Sequence, residues 1–97
     1  MKNTMYLIGI EVTLHLYYVD SLKEKRRIIR SILDHTHHRF QLSTAEIGYL
    51  NSLGRSSLGF GIATNDMQKA EKILQKIINY IDEQSEVEII DIQWLET

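Results

Sequence analysis

Residues 5–17 read MYLIGIEVTLHLY, and residues 21–24 read SLKE. The first stretch alternates between bulky apolar residues and smaller or polar ones, which is typical of a strand buried on one side. Its buried parity is predicted to hold Ile8, Ile10, Val12, Leu14 and Leu16. The second stretch is a capping box, in which the Ser21 hydroxyl accepts from the Glu24 N–H and the Glu24 carboxylate accepts from the Ser21 N–H. A strand over 5–17 is therefore followed by a helix that begins at residue 22.

Apolar spacing predicts two helices. The first runs over 22–38, and the second runs over 66–83 behind an N-cap at Asn65 or Asp66. The residues expected on the buried face of the first helix are Leu22, Ile29, Ile32, Leu33, Thr36 and Phe40. Those expected on the buried face of the second are Ala70, Ile73, Leu74, Ile77, Ile78 and Ile81.

Three further strands complete the chain. Residues 41–50 form a weakly patterned strand suited to a sheet edge, residues 51–54 form a turn, and residues 56–64 and 87–95 form strands. The order βαββαβ predicts an α+β ferredoxin-like sandwich, in which a four-stranded antiparallel sheet carries both helices on one face. The first and third strands are expected at its centre, as parallel neighbours.

Composition limits the classes of protein that this chain can represent. Its 97 residues, 43% apolar and 25% charged, suit a single globular domain over residues 1–97. It has no cysteine, which excludes disulfides and thiolate chemistry. The apolar run from Met5 to Ile10 is broken by Glu11 and is too short for a bilayer, which needs about 20 apolar residues. A cytoplasmic location is therefore predicted.

The net charge of −2 conceals an uneven distribution. Residues 20–40 contain six Lys or Arg and three Asp or Glu, whereas residues 66–97 contain three and eight. An ordinary solvated helix face explains such a pattern, and the acidic second half disfavours polyanions. The functional reading is that the first helix contacts phosphates without reading bases. Its candidate nucleic-acid-binding residues are Lys23, Lys25, Arg26, Arg27 and Arg30.

No residue pattern indicates catalysis, a metal or a cofactor. His37 and His38 diverge by about 100° on a helix and do not readily share a metal. His35 and His38, with Asp34 nearby, lack a fourth ligand for structural zinc, so the cluster suits an exposed helix end. Phe60 shares the parity of the core, so an aromatic platform for RNA bases is not expected on the sheet. The loop at residues 17–20 has no Arg to hold a phosphate, as acylphosphatases require. A non-enzymatic protein with no cofactor is therefore predicted.

The sheet face away from the helices is predicted to be small and flat. Such a face commonly packs on a copy or a partner, so a homodimer is predicted. A monomer with a solvated face fits the same residues. The candidate dimer interface consists of Gly9, Glu11, Gly59, Gly61 and Ala63.

Four segments form a distinctive combination: SLKEKRR at 21–27, AEIG at 45–48, TND at 64–66 and EVEIID at 86–91. Together they resemble the YlxP-like family of small bacterial proteins over almost the whole chain. The resemblance implies a ferredoxin-like fold. Genes of that family tend to lie among those for translation initiation and ribosome maturation, which implies a link to RNA or a ribosomal subunit. Members often carry further Arg residues where this chain has residues 35–38.

The predicted function is that of an RNA- or ribosome-associated factor that binds phosphates through its basic helix. The alternative is a homodimeric protein–protein interaction module with no role on nucleic acid. Neither reading involves a membrane or a small-molecule cofactor.

Overall fold

The computed structural model describes residues 4–97 and has the element order βαββαβ. The strands are β1 (Tyr6–Leu16), β2 (Ser43–Gly48), β3 (Arg55–Thr64) and β4 (Val87–Glu96), and the helices are α1 (Leu22–Phe40) and α2 (Met67–Asp82). Each predicted element is present, with ends within two residues of the prediction. The predicted ferredoxin-like α+β sandwich is confirmed.

The sheet has the strand order β2-β3-β1-β4, and each neighbouring pair is antiparallel. The expectation that β1 and β3 are parallel is therefore wrong. A strand–helix–strand crossover preserves the chain direction, whereas the β2–β3 hairpin reverses it, so β3 must run opposite to β1. β2 lies at the edge, as its weak apolar pattern predicted.

Side-chain caps determine where the helices begin. The Ser21 hydroxyl accepts from the Glu24 N–H at 3.1 Å, as predicted. The Glu24 carboxylate, however, accepts from the Asp20 N–H and not from Ser21. At the start of α2 the cap is Asp66, whose carboxylate accepts from the Lys69 N–H at 3.2 Å. Within residues 4–97, neither helix is long and apolar enough to cross a membrane.

α1 runs two residues past its predicted end because its last turn is closed by a backbone cap. Gln41 adopts a left-handed conformation with φ 52°, and its N–H donates to the His37 carbonyl at 2.8 Å. This is the left-handed closure that commonly satisfies carbonyls at a helix end.

The core lies between the sheet and the two helices. The β1 side chains that were predicted to be buried, from Ile8 to Leu16, are buried along the whole strand and are at most 4% exposed. Leu58 and Phe60 of β3 are buried beside it, and Ile62 is partly buried against the same cluster. The buried aliphatic side chains of the helices are Ile28, Ile29, Ile32, Ala70, Leu74, Ile77, Ile78 and Ile81. Each large one contributes about 1.5–3 kcal/mol by leaving water, so this cluster is the main stabilising element.

Two glycines face each other across the central β1–β3 pair, and they differ in what requires them. A Cβ atom on Gly9 would lie 2.6 Å from the carbonyl oxygen of Phe60, so the sheet itself demands glycine there. A Cβ atom on Gly61, its register partner, would meet nothing within 4 Å. Packing within the described chain therefore explains Gly9 and leaves Gly61 unexplained.

Alanine substitutions at Gly9 and Gly61 should have different effects on the free energy of unfolding. Gly9→Ala should lower the free energy of unfolding by roughly 1–3 kcal/mol, because the Phe60 carbonyl must move. Gly61→Ala should leave it unchanged or raise it by up to about 1 kcal/mol, because alanine loses less backbone entropy on folding. Urea unfolding at low protein concentration, monitored by Trp94 fluorescence, measures the free energy of unfolding of both variants. Equal losses in the two variants would contradict this account.

Candidate functional site

Four cations of α1 share the side of the helix that faces away from the core. The set consists of Lys23, Arg26, Arg27 and Arg30, all of which are exposed. At about 100° per residue they fall within an arc of roughly 100°. The buried Ile32 lies on the opposite side of the helix. We call these four residues the cationic face of α1.

Lys25, the fifth predicted phosphate-binding residue, does not belong to the cationic face. Its side chain is 1% exposed, and its Nζ atom lies 3.2 Å from Oε2 of Glu46 on β2. The same Nζ donates to the backbone carbonyl of Tyr49 at 2.5 Å. The prediction that Lys25 is available to phosphates is therefore wrong. Position 25 shares the buried stripe of Ile29 and Ile32, at spacings of four and seven residues.

Glu46 extends this buried pair into a network that joins α1 to the β2–β3 turn. Its Oε2 also accepts from the hydroxyl of Ser56 at 2.6 Å, and Ser56 is fully buried. Tyr49, whose carbonyl the Lys25 ammonium holds, has a left-handed backbone with φ 57°. Among the described residues, every buried side-chain nitrogen or oxygen has a hydrogen-bond partner. The network is complete and has a structural role.

Arg27 is the member of the cationic face that forms a salt bridge within residues 4–97. Its Nη2 donates to Oε2 of Glu86 at 3.1 Å, and the two side chains are 61% and 50% exposed. An ion pair this exposed contributes about 0–1 kcal/mol and exchanges readily with solvent. An incoming anion can therefore displace Glu86 from Arg27 at little cost.

Arg26 and Arg30 border a groove of about 330 Å³ between α1 and the edge strand β2. The carboxylates of Asp34 and Glu46 line the same groove. Because Glu46 is already paired with Lys25, Asp34 offsets only one of the two guanidinium charges, and an anion is favoured beside Arg26 and Arg30 at the rim.

Near the end of α1, the rings of His37 and His38 lie edge to face with centroids 5.6 Å apart, whereas His35 has other surroundings. The His35 ring stacks on Tyr80 with ring centroids 4.1 Å apart, and burial raises the pKa of the Tyr80 hydroxyl above its ordinary 10.0. His37 Nδ1 lies 2.8 Å from the carbonyl oxygen of Leu42, next to the helix cap. Over residues 4–97, no three His, Cys, Asp or Glu side chains are grouped so as to hold a metal ion.

The sheet surface turned away from the helices brings together the predicted interface residues. The β1–β3 register pairs Gly9 with Gly61 and Glu11 with Gly59, and Ala63 follows at the end of the same rows. We call this surface the open face. The five residues form one contiguous patch.

Sequence reasoning missed two apolar members of the open face. Ile47 of β2 leans over Gly59, where an added Cβ would lie 3.2 Å from its Cγ2. Leu95 of β4 pairs with Gly9. Ile47 lies two residues after Ala45 in β2, so strand alternation could have placed it on the same face. Leu95 could not be assigned, because the register of β4 shifts between its pairings with Thr13 and Leu14 and so exchanges the faces of all later residues.

The other end of the open face is polar and charged. There His15 of β1 lies between Arg55 of β3 and Glu88 of β4. The Tyr17 hydroxyl donates to the Glu88 carboxylate, and this hydrogen bond raises the pKa of Tyr17 above its ordinary 10.0. The open face thus divides into an apolar end around Gly9 and a charged end around His15.

These features define a small ferredoxin-like protein with a cationic helix on one side and an open sheet face on the other. Residues 8–94 match the family described as "Protein of unknown function (DUF503)", and the chain belongs to this family. It is similar to the "Uncharacterized protein YlxP" of Bacillus subtilis (strain 168), with 36% identity over 73 residues, 75% of this chain and 79% of that protein. The YlxP-like resemblance is confirmed.

Solved structures share the fold at low sequence identity. A de novo designed protein with a ferredoxin fold matches with a TM-score of 0.58 and 15% identity, over 94% of this chain and 82% of its own. Protein YJCS matches with a TM-score of 0.54 and 12% identity, over 92% and 96%. The 30S ribosomal protein S6 of Thermotoga maritima matches with a TM-score of 0.51 and 10% identity, over 97% and 89%. These likenesses establish the fold.

Substitutions should show that Lys25 contributes more to the free energy of unfolding than the exposed Arg27 does. Lys25→Met leaves the carboxylate of Glu46 without its ion-pair partner and should cost roughly 2–4 kcal/mol of unfolding free energy. Adding Glu46→Gln should recover part of that loss, since the amide needs no counter-charge and still accepts from Ser56. Arg27→Ala, at an exposed pair, should change stability by no more than about 1 kcal/mol. Urea unfolding of the three variants tests this; a Lys25→Met protein as stable as the parent would refute it.

Proposed function

We propose that this protein is a non-enzymatic RNA-binding factor that contacts phosphates of structured RNA or a ribosomal subunit through the cationic face of α1. The proposal rests on the observation that α1 has both exposed cations and a buried one. Four cations are exposed on the side opposite the core, whereas Lys25 is buried and neutralised by Glu46. The exposed four have no role in the core, and they supply the most concentrated positive charge of the chain.

The spacing of these cations suits a phosphate backbone. Lys23 and Arg30 are seven residues apart, which is about 10 Å along the helix axis. A nucleic-acid strand presents one charge per roughly 3.4 Å of duplex axis, so the cationic face spans about three phosphates. Guanidinium groups such as those of Arg27 and Arg30 form paired hydrogen bonds with phosphate oxygens. Binding of this kind gives affinity that depends on salt and little on base sequence.

Three further considerations support RNA binding and the absence of catalysis. The burial of Phe60 leaves no ring on β3 for base stacking, which fits contact through phosphates. The loop at residues 17–20 contains no Arg that could hold a substrate phosphate. The YlxP-like resemblance adds the association of such genes with translation initiation and ribosome maturation.

A second candidate function is a homodimeric protein–protein interaction module. The apolar end of the open face favours it, since exposed apolar patches mark interaction sites. In that case the cationic face meets an acidic protein surface in place of RNA. Reversing its charges weakens both kinds of complex, so direct measurement on RNA is needed to separate them.

Removing three cations should greatly reduce salt-dependent RNA binding. A labelled RNA hairpin is titrated with the protein by fluorescence anisotropy at several salt concentrations. The logarithm of the binding constant should fall with the logarithm of salt at a slope of about 2–4, set by the number of phosphates neutralised. The variant Lys23→Ala, Arg27→Ala, Arg30→Ala should remain folded, since these side chains are exposed, and should lose most of that slope.

The matched control removes the same charge from the other helix. Lys69, Lys72 and Lys76 of α2 are exposed, and their triple alanine variant should keep the slope of the parent. Glu86→Gln should strengthen RNA binding by up to about fivefold, because Arg27 loses its competing partner. Equal losses in the two triple variants, or a parent that shows no salt-dependent binding, would reject the RNA proposal. Co-sedimentation with ribosomal subunits at low and moderate salt extends the test to the larger particle.

A further inference from the structure

The apolar end of the open face exposes side chains that the core does not use. Leu7, Ile47 and Leu95 are 47%, 47% and 51% exposed, although each belongs to a regular strand. Together with Gly9, Gly59 and Gly61 they line a shallow, mostly apolar depression of about 310 Å³. A contiguous exposed apolar patch of this kind is characteristic of an interaction surface.

Gly61 provides an independent indication that something approaches this surface closely. Its backbone has no positive φ, and an added Cβ would contact nothing within 4 Å. Glycine within a strand costs roughly 0.5–1 kcal/mol relative to alanine. Because no packing within the described residues requires glycine there, its missing side chain is explained by a surface that packs on the sheet from outside.

The open face is large enough for a specific interface. The β1–β3 register extends from Tyr6–Thr64 to His15–Arg55, which is ten pairs. Three strands of about ten residues and the six-residue β2 cover roughly 590 Å² in projection. A standard specific interface takes about 800 Å² from each partner, and the smallest specific ones take about 500 Å². Side chains such as Leu7 protrude and add to the projected area.

The distribution of charge indicates which partner fits. Glu11 and Glu96 line the apolar depression, whereas Asp91, Glu88 and Arg55 lie toward the other end of the face. The carboxylates outnumber the single Arg, so this face repels RNA and other polyanions. Its apolar end is complementary to a second flat apolar patch, and a two-fold axis through that end places the same patch on itself.

We propose that the open face is a homodimer interface, with a second copy of this chain packed face to face across Gly61 and the surrounding Leu7, Ile47 and Leu95. The helices lie on the opposite side of each sheet, so the cationic face of α1 stays exposed in both copies. The dimer is therefore independent of the proposed RNA binding, and either can fail without the other.

An arginine at position 61 should prevent dimerisation without disturbing the fold. Sedimentation velocity across micromolar concentrations should show the parent moving from an 11.4 kDa species toward twice that mass. Gly61→Arg should weaken self-association at least about tenfold, because its long side chain does not fit between two sheets in close contact. Gly54→Arg is the matched control, since a Cβ there also meets nothing within 4 Å and the residue lies outside the apolar end; it should associate like the parent.

Two further measurements test whether the association uses this face. Glu11→Gln should strengthen it by a few fold, since a neutral amide costs less to bury than a carboxylate. Amide spectra recorded at both ends of the concentration range should shift the resonances of Gly59 and Gly61 and leave those of α1 in place. A parent that remains at 11.4 kDa throughout, equal weakening by both arginine variants, or shifts confined to the helices would overturn the proposal.

Discussion

The central strand β1 is the constraint on which the rest of the structure depends. It pairs with β3 on one side and β4 on the other, so its alternation determines both faces of the sheet at once. Its apolar parity, including Val12 and Leu14 at 0% exposure, draws both helices onto one side. The other parity is left on the open face. Gly9 belongs to that second parity, and the close approach of the Phe60 carbonyl allows no larger residue there.

The pair between the buried Lys25 and the partly buried Glu46 has a second organising effect. It connects α1 to β2 and, through Ser56 and the carbonyl of Tyr49, to both sides of the β2–β3 turn. A lysine inside a domain needs such a set of partners, because an unpaired buried charge is costly. The consequence for function is that α1 carries two kinds of cation. One kind is committed to the fold, and the other is available to a ligand.

The helical layer and the open face lie on opposite sides of the same sheet, so a ligand on one does not obstruct the other. The cationic face of α1 suits a polyanion, whereas the apolar end of the open face suits an uncharged surface. In the proposed functions, this arrangement lets one small domain bind RNA and a second copy at the same time.

The sequence by itself determined the elements and the fold. Period-two alternation in residues 5–17, the Ser21 cap and the apolar spacing of residues 70–81 depend on local chemistry, which a single chain displays directly. Tertiary structure decided the direction of β3, the burial of Lys25 and the place of Leu95. Lys25 was misread because a lysine on an apolar stripe is buried only when a distant carboxylate, here Glu46, compensates its charge. Leu95 reached the open face because a shift in the pairing of β4 with β1 reverses the parity of the residues beyond it. Both outcomes depend on contacts between residues far apart in the chain, and local pattern carries no record of them.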